Sequence, residues 1–506
     1  MSSTAVALNR ISRIVGYQLT KGTFNTSSPN LPQRIAVLAE ASTANQSGLS
    51  TSPVQITSAA QAGKLYGFSS PMYAIMRILF PVNGGGVTVP VIAFAQLAAG
   101  GSAAKAMTIT VTGTATANGT HYININGREI IDGSAYAVNI VNGDTPTVIA
   151  GKIVTAINNV LSCPVSAANT AGVVTCTAEW TGLTSQDISI TVDSNNTSIG
   201  VTYAVAQTVA GTGTPTVTSS LQLFGSDWNT IVINGYGAVS ATMAEYEAFN
   251  GIPDPNTPSG RYTGTIFKPF IALTGSTLDN PTSITSAGVR PSNVTIAICP
   301  APLSQGMPYE AAANMAVLFS NAAQNSPHLD VSGQSYPDMP LPVAGTTIAM
   351  QDYNNRDAYV QLGCSTVDIV AGAYQVQDFV TTYAPSGEIP PQFRYCRNLM
   401  LDFNIRYGYY LLELANVVDH AIANDGDVVT ATNVIKPKQW TQIIANYAND
   451  LAKRALIADA SFMQSSTEVN ISTTNPDRLE TFFRYKRTGY LRIASTTAEA
   501  GFNFGN

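Results

Sequence analysis

Residues 34–41 read RIAVLAEA and residues 86–95 read GVTVPVIAFA, and these two runs frame the segment that decides the fold. The first is a short apolar run typical of a buried strand, and the second predicts another strand. Between them, residues 57–68 (TSAAQAGKLYGF) and 70–80 (SPMYAIMRILF) indicate two short helices. The order strand, helix, helix, strand therefore predicts an α/β unit.

Helix start signals in this segment strengthen the prediction. Ser58 and Gln61 stand at the spacing of a capping box, in which each side chain accepts a bond from the other's backbone. Ser70 is followed at once by Pro71, and proline is favoured at the first position of a helix because its missing N–H would have no partner there.

A β-rich segment interrupts this pattern and is predicted to be an inserted domain. Small-residue runs at 97–106 (LAAGGSAAKA) and 204–220 (AVAQTVAGTGTPTVTSS) are interpreted as its two flexible joints. Within it, residues 108–130 (TITVTGTATANGTHYININGREI) alternate like half-buried strands, and ANGT at 117–120 predicts a tight type I′ hairpin turn. The alternation places Ile109 and Val111 inward and the threonines outward, namely Thr108, Thr110 and Thr112.

One helix is expected inside the insert, at residues 145–160 (TPTVIAGKIVTAINNV). Thr145 would be its N-cap and Pro146 its first residue. Its apolar side chains recur every four residues, which predicts one buried face formed by Ile149, Ile153 and Ile157.

After the insert the α/β alternation resumes, and long helices follow. The expected fold class is a multidomain α+β/α/β protein with an α/β core and flanking helices, an inserted β-rich, β-sandwich-like domain, and extended N- and C-terminal β arms. The predicted divisions are an N-terminal arm, the first part of the core, the insert, the second part of the core and a C-terminal arm, at residues 1–30, 31–97, 98–215, 216–478 and 479–506.

Composition limits the classes of function. Charged residues make up 11% of the 506 residues, well below the roughly 25% usual in soluble domains, which suits a protein that ends inside an assembly. A β-rich protein with a Thr/Asn surface explains the composition equally well. The net charge is −6, and we interpret the Lys and Arg residues as scattered singly along the sequence, without a basic patch. This argues against nucleic-acid binding. The cysteines show no zinc spacing and are expected to be buried, reduced thiols.

No catalytic or metal-binding pattern emerges. The sequence has no G-x-S-x-G elbow and no phosphate-binding P-loop, and NGGGV (83–87) and GTGTP (211–215) are interpreted as linkers. His121, His328 and His420 are expected to be separate surface residues. The pairs Asp352/Asp357 and Asp187/Asp193 could each hold a cation but are better explained as solvated turns or strand ends. We therefore predict no enzyme activity, no cofactor and no metal.

No apolar window is long enough to span a membrane, and the N-terminus lacks the apolar core of a secretory signal. We therefore expect no membrane insertion, and retention in the compartment of synthesis.

Five phrases resemble, in this order, the contractile-tail sheath proteins of Mu-like phages. They include a strand–helix phrase at 52–80, the Thr/Gly-rich opening of the insert at 108–130 and its helix at 143–158. A phrase at 353–383 carries an Arg, a Gly-x-Ser/Thr and a Thr-Thr-Tyr, and residues 433–483 carry a closing helix and an Asn-Pro-x-Arg-Leu segment.

The resemblance implies a structural homo-oligomer without a catalytic site. Sheath subunits of this family stack as hexameric rings around a tail tube, meet baseplate and tail terminator proteins, and contract to drive genome ejection. The chain would then assemble in the host cytoplasm and reside in the virion tail. The implied strand-donating arms include residues from both ends of the chain: Ile11, Ile14, Val15 and Tyr17, and Phe483, Tyr485, Leu491 and Ile493.

Other functions remain open at this stage. The sheath of a phage-tail-like bacteriocin or related injection system would have the same features. A surface adhesin or array protein would explain the Thr-rich insert but would need an export signal. A hydrolase with a β-rich accessory domain would need a nucleophile and a base, and neither is recognisable.

Overall fold

The computed structural model describes residues 29–94, 96, 98–126, 136–195, 197–285, 290, 293–387 and 392–500. Its strands are β1 (Ile35–Leu38), β2 (Val54–Ile56), β3 (Val91–Ala93), β4 (Ala106–Thr112), β5 (Gly119–Ile125), β6 (Ala137–Ile140), β7 (Val165–Thr170), β8 (Val173–Ala178), β9 (Ile190–Asp193), β10 (Thr202–Val209), β11 (Ile231–Asn234), β12 (Ile271–Ser276), β13 (Ile296–Pro300), β14 (Thr366–Val370), β15 (Ala373–Asp378), β16 (Ala421–Ile422), β17 (Val434–Ile435), β18 (Glu468–Ile471) and β19 (Leu479–Phe482).

The α-helices in the same part of the chain are α1 (Ala59–Tyr66), α2 (Pro71–Leu79), α3 (Pro146–Asn158), α4 (Thr218–Gln222), α5 (Ser240–Asn250), α6 (Thr282–Thr285), α7 (Pro308–Asn325), α8 (Tyr353–Gln361), α9 (Cys396–Asn416), α10 (Pro437–Lys453) and α11 (Ala460–Ser465). Helices and several separate sheets thus coexist, which confirms the mixed α/β character expected from the sequence.

The core sheet is built from residues on both sides of the insert. Its strand order is β13-β12-β11-β1-β3-β2, and all neighbours are parallel except the edge pair β2 and β3. Ile35 and Val37 of β1 contribute to one buried cluster, whereas Ala36 and Leu38 contribute to another. Successive side chains of a strand point to opposite faces, so this sheet is covered on both sides and its central strands are largely apolar.

The helix starts in the first α/β unit follow the sequence signals. Ser58 accepts a hydrogen bond from the backbone N–H of Gln61 at 3.2 Å. Ser70 accepts one from the N–H of Tyr73 at 3.1 Å, with Pro71 as the first helical residue. Both serines satisfy backbone donors that have no partner within the helix, as predicted. The capping box is only half formed, because the side chain of Gln61 accepts from the N–H of Thr57 at 2.9 Å and not from that of Ser58.

The insert contains a four-stranded sheet, β10-β4-β8-β7, and a three-stranded sheet, β6-β5-β9. Side chains of both sheets and of α3 share one buried cluster, to which Ile109, Ile123 and Ile153 belong. Ile149, Ile153 and Ile157 are fully buried, as the four-residue spacing predicted. Ile109 and Val111 are buried while the three threonines beside them are partly or fully exposed, so the inward and outward assignment is also confirmed.

Two local predictions in the insert are wrong. The ANGT segment does not form a hairpin, because β4 pairs with β8 and β10 whereas β5 pairs with β6 and β9. The intervening loop instead crosses between the sheets, and its backbone bonds to distant loops, with Ala115 donating to Asp144 and Thr116 to Ile199. The run at 204–220 is not a flexible joint throughout, because its first residues belong to β10.

The chain from Leu401 onward contributes to a separate buried cluster, which is mainly helical. Leu401 and Ile405 of α9 pack with Trp440, Ile444 and other buried side chains of α10. Tyr447 reaches across from α10 and donates a hydrogen bond to the carbonyl of Ile405 at 2.7 Å. This cluster supports the hairpin of β18 and β19 and the segment that follows it.

Candidate interaction surface

The C-terminal segment begins with a strand that is already paired. Leu479–Phe482 forms an antiparallel pair with Glu468–Ile471, so the first residues of the predicted C-terminal arm are paired within their own chain. The two strands lie on either side of the predicted division at 478/479. From Phe483 to Ala500 the described chain has no helix, turn or bend, and one isolated bridge pairs Arg487 with Ile457. The described residues before and after Gly489 do not pair with each other as strands.

Phe483 and Tyr485 face the chain's own helical cluster. The ring of Phe483 lies 5.1 Å from that of Tyr409. The Tyr485 hydroxyl donates a hydrogen bond to Oδ1 of Asp402 at 2.9 Å. These two predicted arm residues therefore help fix the segment to its own subunit.

Arg487 forms the firmest attachment of this segment. Its guanidinium makes a two-bond contact with Asp402, with Nε 2.7 Å from Oδ1 and Nη2 2.6 Å from Oδ2. It also stacks over Phe393 at 5.3 Å from the ring centre. Burial by itself would lower the pKa of Arg487, but the hydrogen bonds and charge of Asp402 raise it above its ordinary value. Two-bond Arg–carboxylate pairs are among the stronger charge-assisted contacts in proteins.

Arg492 makes a second attachment five residues further along. It forms an ion pair with Asp330, and its Nη1 lies 3.7 Å from Oδ1 of Asp378. Its guanidinium carbon lies 3.7 Å from the ring centre of Tyr395, a cation–π stack. We define Arg492, Asp330, Asp378 and Tyr395 as the Arg492 clip. Burial raises the pKa of the Asp378 carboxyl, while Thr366 and the cation of Arg492 oppose that rise.

Leu491 and Ile493 flank this clip and point to solvent. Their exposed fractions are 81% and 80%, far above the usual value for large apolar side chains in a folded segment. Residues 494–500 are also exposed. The surface thus offers apolar side chains on an extended backbone, the form in which a peptide adds to a sheet edge.

The charges of segment and support are complementary. Between 483 and 493 the segment carries only positive charge, and Lys486, Arg487 and Arg492 pair with carboxylates contributed by separate parts of the chain. Lys486 pairs with Asp459 at 2.9 Å. The expectation that Lys and Arg are scattered singly is therefore wrong here, and the cluster of cations at the end of a charge-poor sequence was a usable signal. The cationic residues are Arg484, Lys486, Arg487 and Arg492.

The N-terminal candidates, Ile11, Ile14, Val15 and Tyr17, lie outside the described residues. Their assignment to a strand-donating arm stays a prediction.

A buried carboxyl links the core to the insert and was missed in the sequence. Glu40 follows β1 and is 2% exposed. Thr184 of the insert donates a hydrogen bond to its Oε1 at 2.8 Å, and Trp180 donates to the Thr184 hydroxyl at 3.0 Å. Burial raises the pKa of Glu40 to about 8, and the hydrogen bond from Thr184 partly opposes this. The carboxyl is thus held neutral at ordinary pH.

The candidate catalytic and metal-binding residues do not form a common site in the structure. His121 is fully buried on β5, which corrects the surface assignment, and its ring nitrogens contact the Tyr203 hydroxyl at 2.6 Å and the Thr197 carbonyl at 2.8 Å. Asp352 caps α8 through the N–H of Asn354. Asp187 is exposed at the end of a short helical turn, and Asp193 accepts a bond from the N–H of Asn195 in its own loop.

Within the described residues, no group of three or more His, Cys, Asp or Glu side chains could hold a metal ion. An open cleft of about 1080 Å³ lies where core and insert meet, and its lining contains no ionisable side chain. The described cysteines are buried and form no disulfide with one another, as expected: Cys163, Cys176, Cys299, Cys364 and Cys396. None of the described helices combines the length and apolarity needed to cross a bilayer.

Comparison with known proteins gives structural matches only. No family model matches the sequence, and neither does any curated protein. A sheath tail protein from Desulfitobacterium hafniense is 13% identical with a TM-score of 0.45, over 93% of this chain and 100% of that one. The helical sheath of the anti-feeding prophage, in its contracted state, is 9% identical with a TM-score of 0.41, over 97% of this chain and 100% of that one. Scores below 0.5 at such identities establish neither a family nor a function.

Proposed function

We propose that this chain is the structural subunit of a contractile tail sheath, polymerising as stacked hexameric rings around a tail tube. The observation that carries the proposal is the C-terminal segment. It is fixed to its own subunit through Arg487 and then presents Leu491 and Ile493 to solvent on an extended backbone. The order of the five sheath-like phrases in the sequence supports the same reading.

Strand donation suits a polymer that changes shape. Main-chain hydrogen bonds supply the affinity, so the link tolerates large rotations of the subunits it joins. The C-terminal segment would add to a sheet of a neighbouring copy, and the N-terminal residues would do the same from the other end. A neighbour would also cover apolar side chains that are otherwise left in water.

Contraction would be a transition from an extended polymer to a shorter, wider one. The driving free energy would come from apolar surface newly buried between subunits, at about 25 cal/mol per Å². A gain of a few kcal/mol per subunit, repeated over on the order of a hundred copies, suffices for mechanical work without nucleotide hydrolysis. Low charge content suits surfaces that pair in two arrangements, because fewer charges need partners in both.

In this role the subunit would contact a tail tube protein, a baseplate and a tail terminator, and contraction would drive the tube through a host envelope for genome ejection. The subunit would assemble in the host cytoplasm and reside in the tail of a virion. A phage-tail-like bacteriocin would use the same subunit geometry.

The double substitution Leu491→Ser/Ile493→Ser tests the proposal. Wild-type protein should sediment as large assemblies at high concentration, whereas this variant should remain small, because the apolar side chains that a neighbour covers are gone. Val82→Ser/Leu161→Ser is the matched control, since these apolar side chains are similarly exposed, at 98% and 70%, but lie far from the segment in sequence. Equal assembly of the arm variant and wild type in sedimentation velocity runs would contradict the proposal.

A further inference from the structure

The C-terminal segment is held by two unequal attachments. Up to Thr488 it is fixed by backbone as well as side-chain bonds: Ala458 donates to the carbonyl of Lys486 at 2.8 Å, and Arg397 donates to that of Thr488 at 2.8 Å. From 489 to 500, no backbone hydrogen bond to another described residue occurs. The hold on this outer part rests on side chains, above all on the Arg492 clip.

We propose that the Arg492 clip retains the end of the arm on its own subunit before assembly, and that opening this clip is the step that frees residues 490–500 for a neighbouring copy. The part of this inference that concerns assembly rests on the proposed function. The part that concerns the isolated subunit does not.

The clip is strong enough to delay release. Asp330 is almost fully buried, with 1% of its side chain exposed, so departure of Arg492 leaves a carboxylate in a poorly solvated position without its cation. Tyr490 adds to the hold, because it lies between two guanidinium groups, 5.5 Å from that of Arg397 and 5.2 Å from that of Arg492. The end of the arm is therefore not simply free in solution.

The clip is also the attachment that can open without unfolding the subunit. Arg487 is joined to Asp402 by two short bonds and is followed by backbone contacts, so the root stays in place. The outer contact has a buried carboxylate, Asp330, and a partly exposed one, Asp378, whose Oδ1 lies 3.7 Å from Nη1 of Arg492. Salt screens the Asp378 part of the clip, whereas the buried pair with Asp330 is screened much less. Strand pairing by main-chain hydrogen bonds does not depend on salt in this way. Higher salt therefore favours donation of residues 490–500 to a neighbouring copy over their retention on the same subunit.

Chymotrypsin measures clip opening directly in the full chain at low protein concentration, because it cuts after Tyr490 and Leu491. Raising NaCl from about 50 to about 500 mM should speed cleavage of wild-type protein at this point as the clip is screened. Arg492→Gln should be cut at least about tenfold faster than wild type at low salt, because it removes the partner of a buried carboxylate, and its rate should change little with salt. Arg492→Lys, which keeps the charge, should lie between the two.

Arg484→Gln is the matched control, because Arg484 is exposed on the same segment and stacks over Phe482 at 5.4 Å. It should be cut like wild type. A wild-type cleavage rate independent of salt, or equal rates for Arg492→Gln and Arg484→Gln, would overturn the clip. The wild-type salt series gives this answer even if the Arg492→Gln variant does not fold.

Light scattering then tests the link to assembly. If the clip gates strand donation, the lag before polymerisation should be shorter for Arg492→Gln than for wild type and Arg484→Gln. An unchanged or longer lag would overturn the gating role. Absence of any polymer from wild-type protein would reject the proposed function instead, while leaving the cleavage result on the isolated subunit intact.

Discussion

Glu40 shows how one residue can join two parts of this chain. Its carboxyl accepts a hydrogen bond from Thr184, 144 positions away, and its other oxygen, Oε2, has no hydrogen-bond partner among the described residues. Nothing in RIAVLAEA distinguishes this glutamate from a solvated strand end, because its burial depends on the distant insert. The caps at Ser58 and Ser70 were predictable for the opposite reason, since their partners lie within three residues.

Glu40 should make stability depend on pH. Its pKa is raised to about 8 in the folded protein, so the folded state binds the proton more tightly than the unfolded state does. Below about pH 4.5 the Glu40 carboxyl should make its full contribution to the free energy of unfolding. That contribution should fall as the pH rises towards 8, by as much as about 5 kcal/mol. Urea unfolding between pH 5 and 8.5 measures the slope.

Glu40→Gln should remove most of that slope, because the amide does not titrate and has a similar shape. Glu468→Gln, at an exposed position of β18, is the control and should keep the wild-type slope. A slope shared by all three proteins would mean that the Glu40 carboxyl is not buried as described.

Elements whose sequence signals lie within a few residues were predictable, whereas pairings between strands that are distant in the sequence were not. The start of helix α3 at Pro146 and its buried isoleucines were predicted, although Thr145 makes no side-chain cap bond and the helix ends at Asn158. The turn signal at Asn118 and Gly119 failed because Asn118 accepts a hydrogen bond from the N–H of Asn142 in another loop. Alternation identified β4 and β5 as strands, but it carries no information about which strands pair.

The packing of α3 can be tested by removing one side chain. Ile153→Ala should destabilise the insert by about 2–5 kcal/mol, because it leaves a cavity where a fully buried side chain was. Val148→Ala on the same helix, at a position that is 46% exposed, should cost much less. Hydrogen exchange of peptides covering 146–178, followed in urea, reports on the insert itself. Equal costs for the two variants would show that α3 does not pack through this face.

In the whole molecule, the order of the α/β and β-rich segments was visible in the sequence, but the way they pack together was not. A change from α/β alternation to Thr-rich strands and back predicted an interruption, and β1, β3 and β11 do meet in one sheet across it. The strand order of that sheet and the second carboxyl of the Arg492 clip depend on contacts between distant segments. The C-terminal arm was recognised by its strand-like alternation. Its attachment could not be predicted, because the carboxylates that pair with Arg487 and Arg492 lie 85 and 162 positions away in the sequence.

Under the proposed function, this chain polymerises into a hollow sheath through its C-terminal arm. Negative-stain electron microscopy of the purified full chain at high concentration tests it most directly. Wild-type protein should form stacked rings or hollow tubes, and the Leu491→Ser/Ile493→Ser variant should form neither. Uniform single subunits at every salt and protein concentration, or tubes of normal appearance from the arm variant, would contradict it.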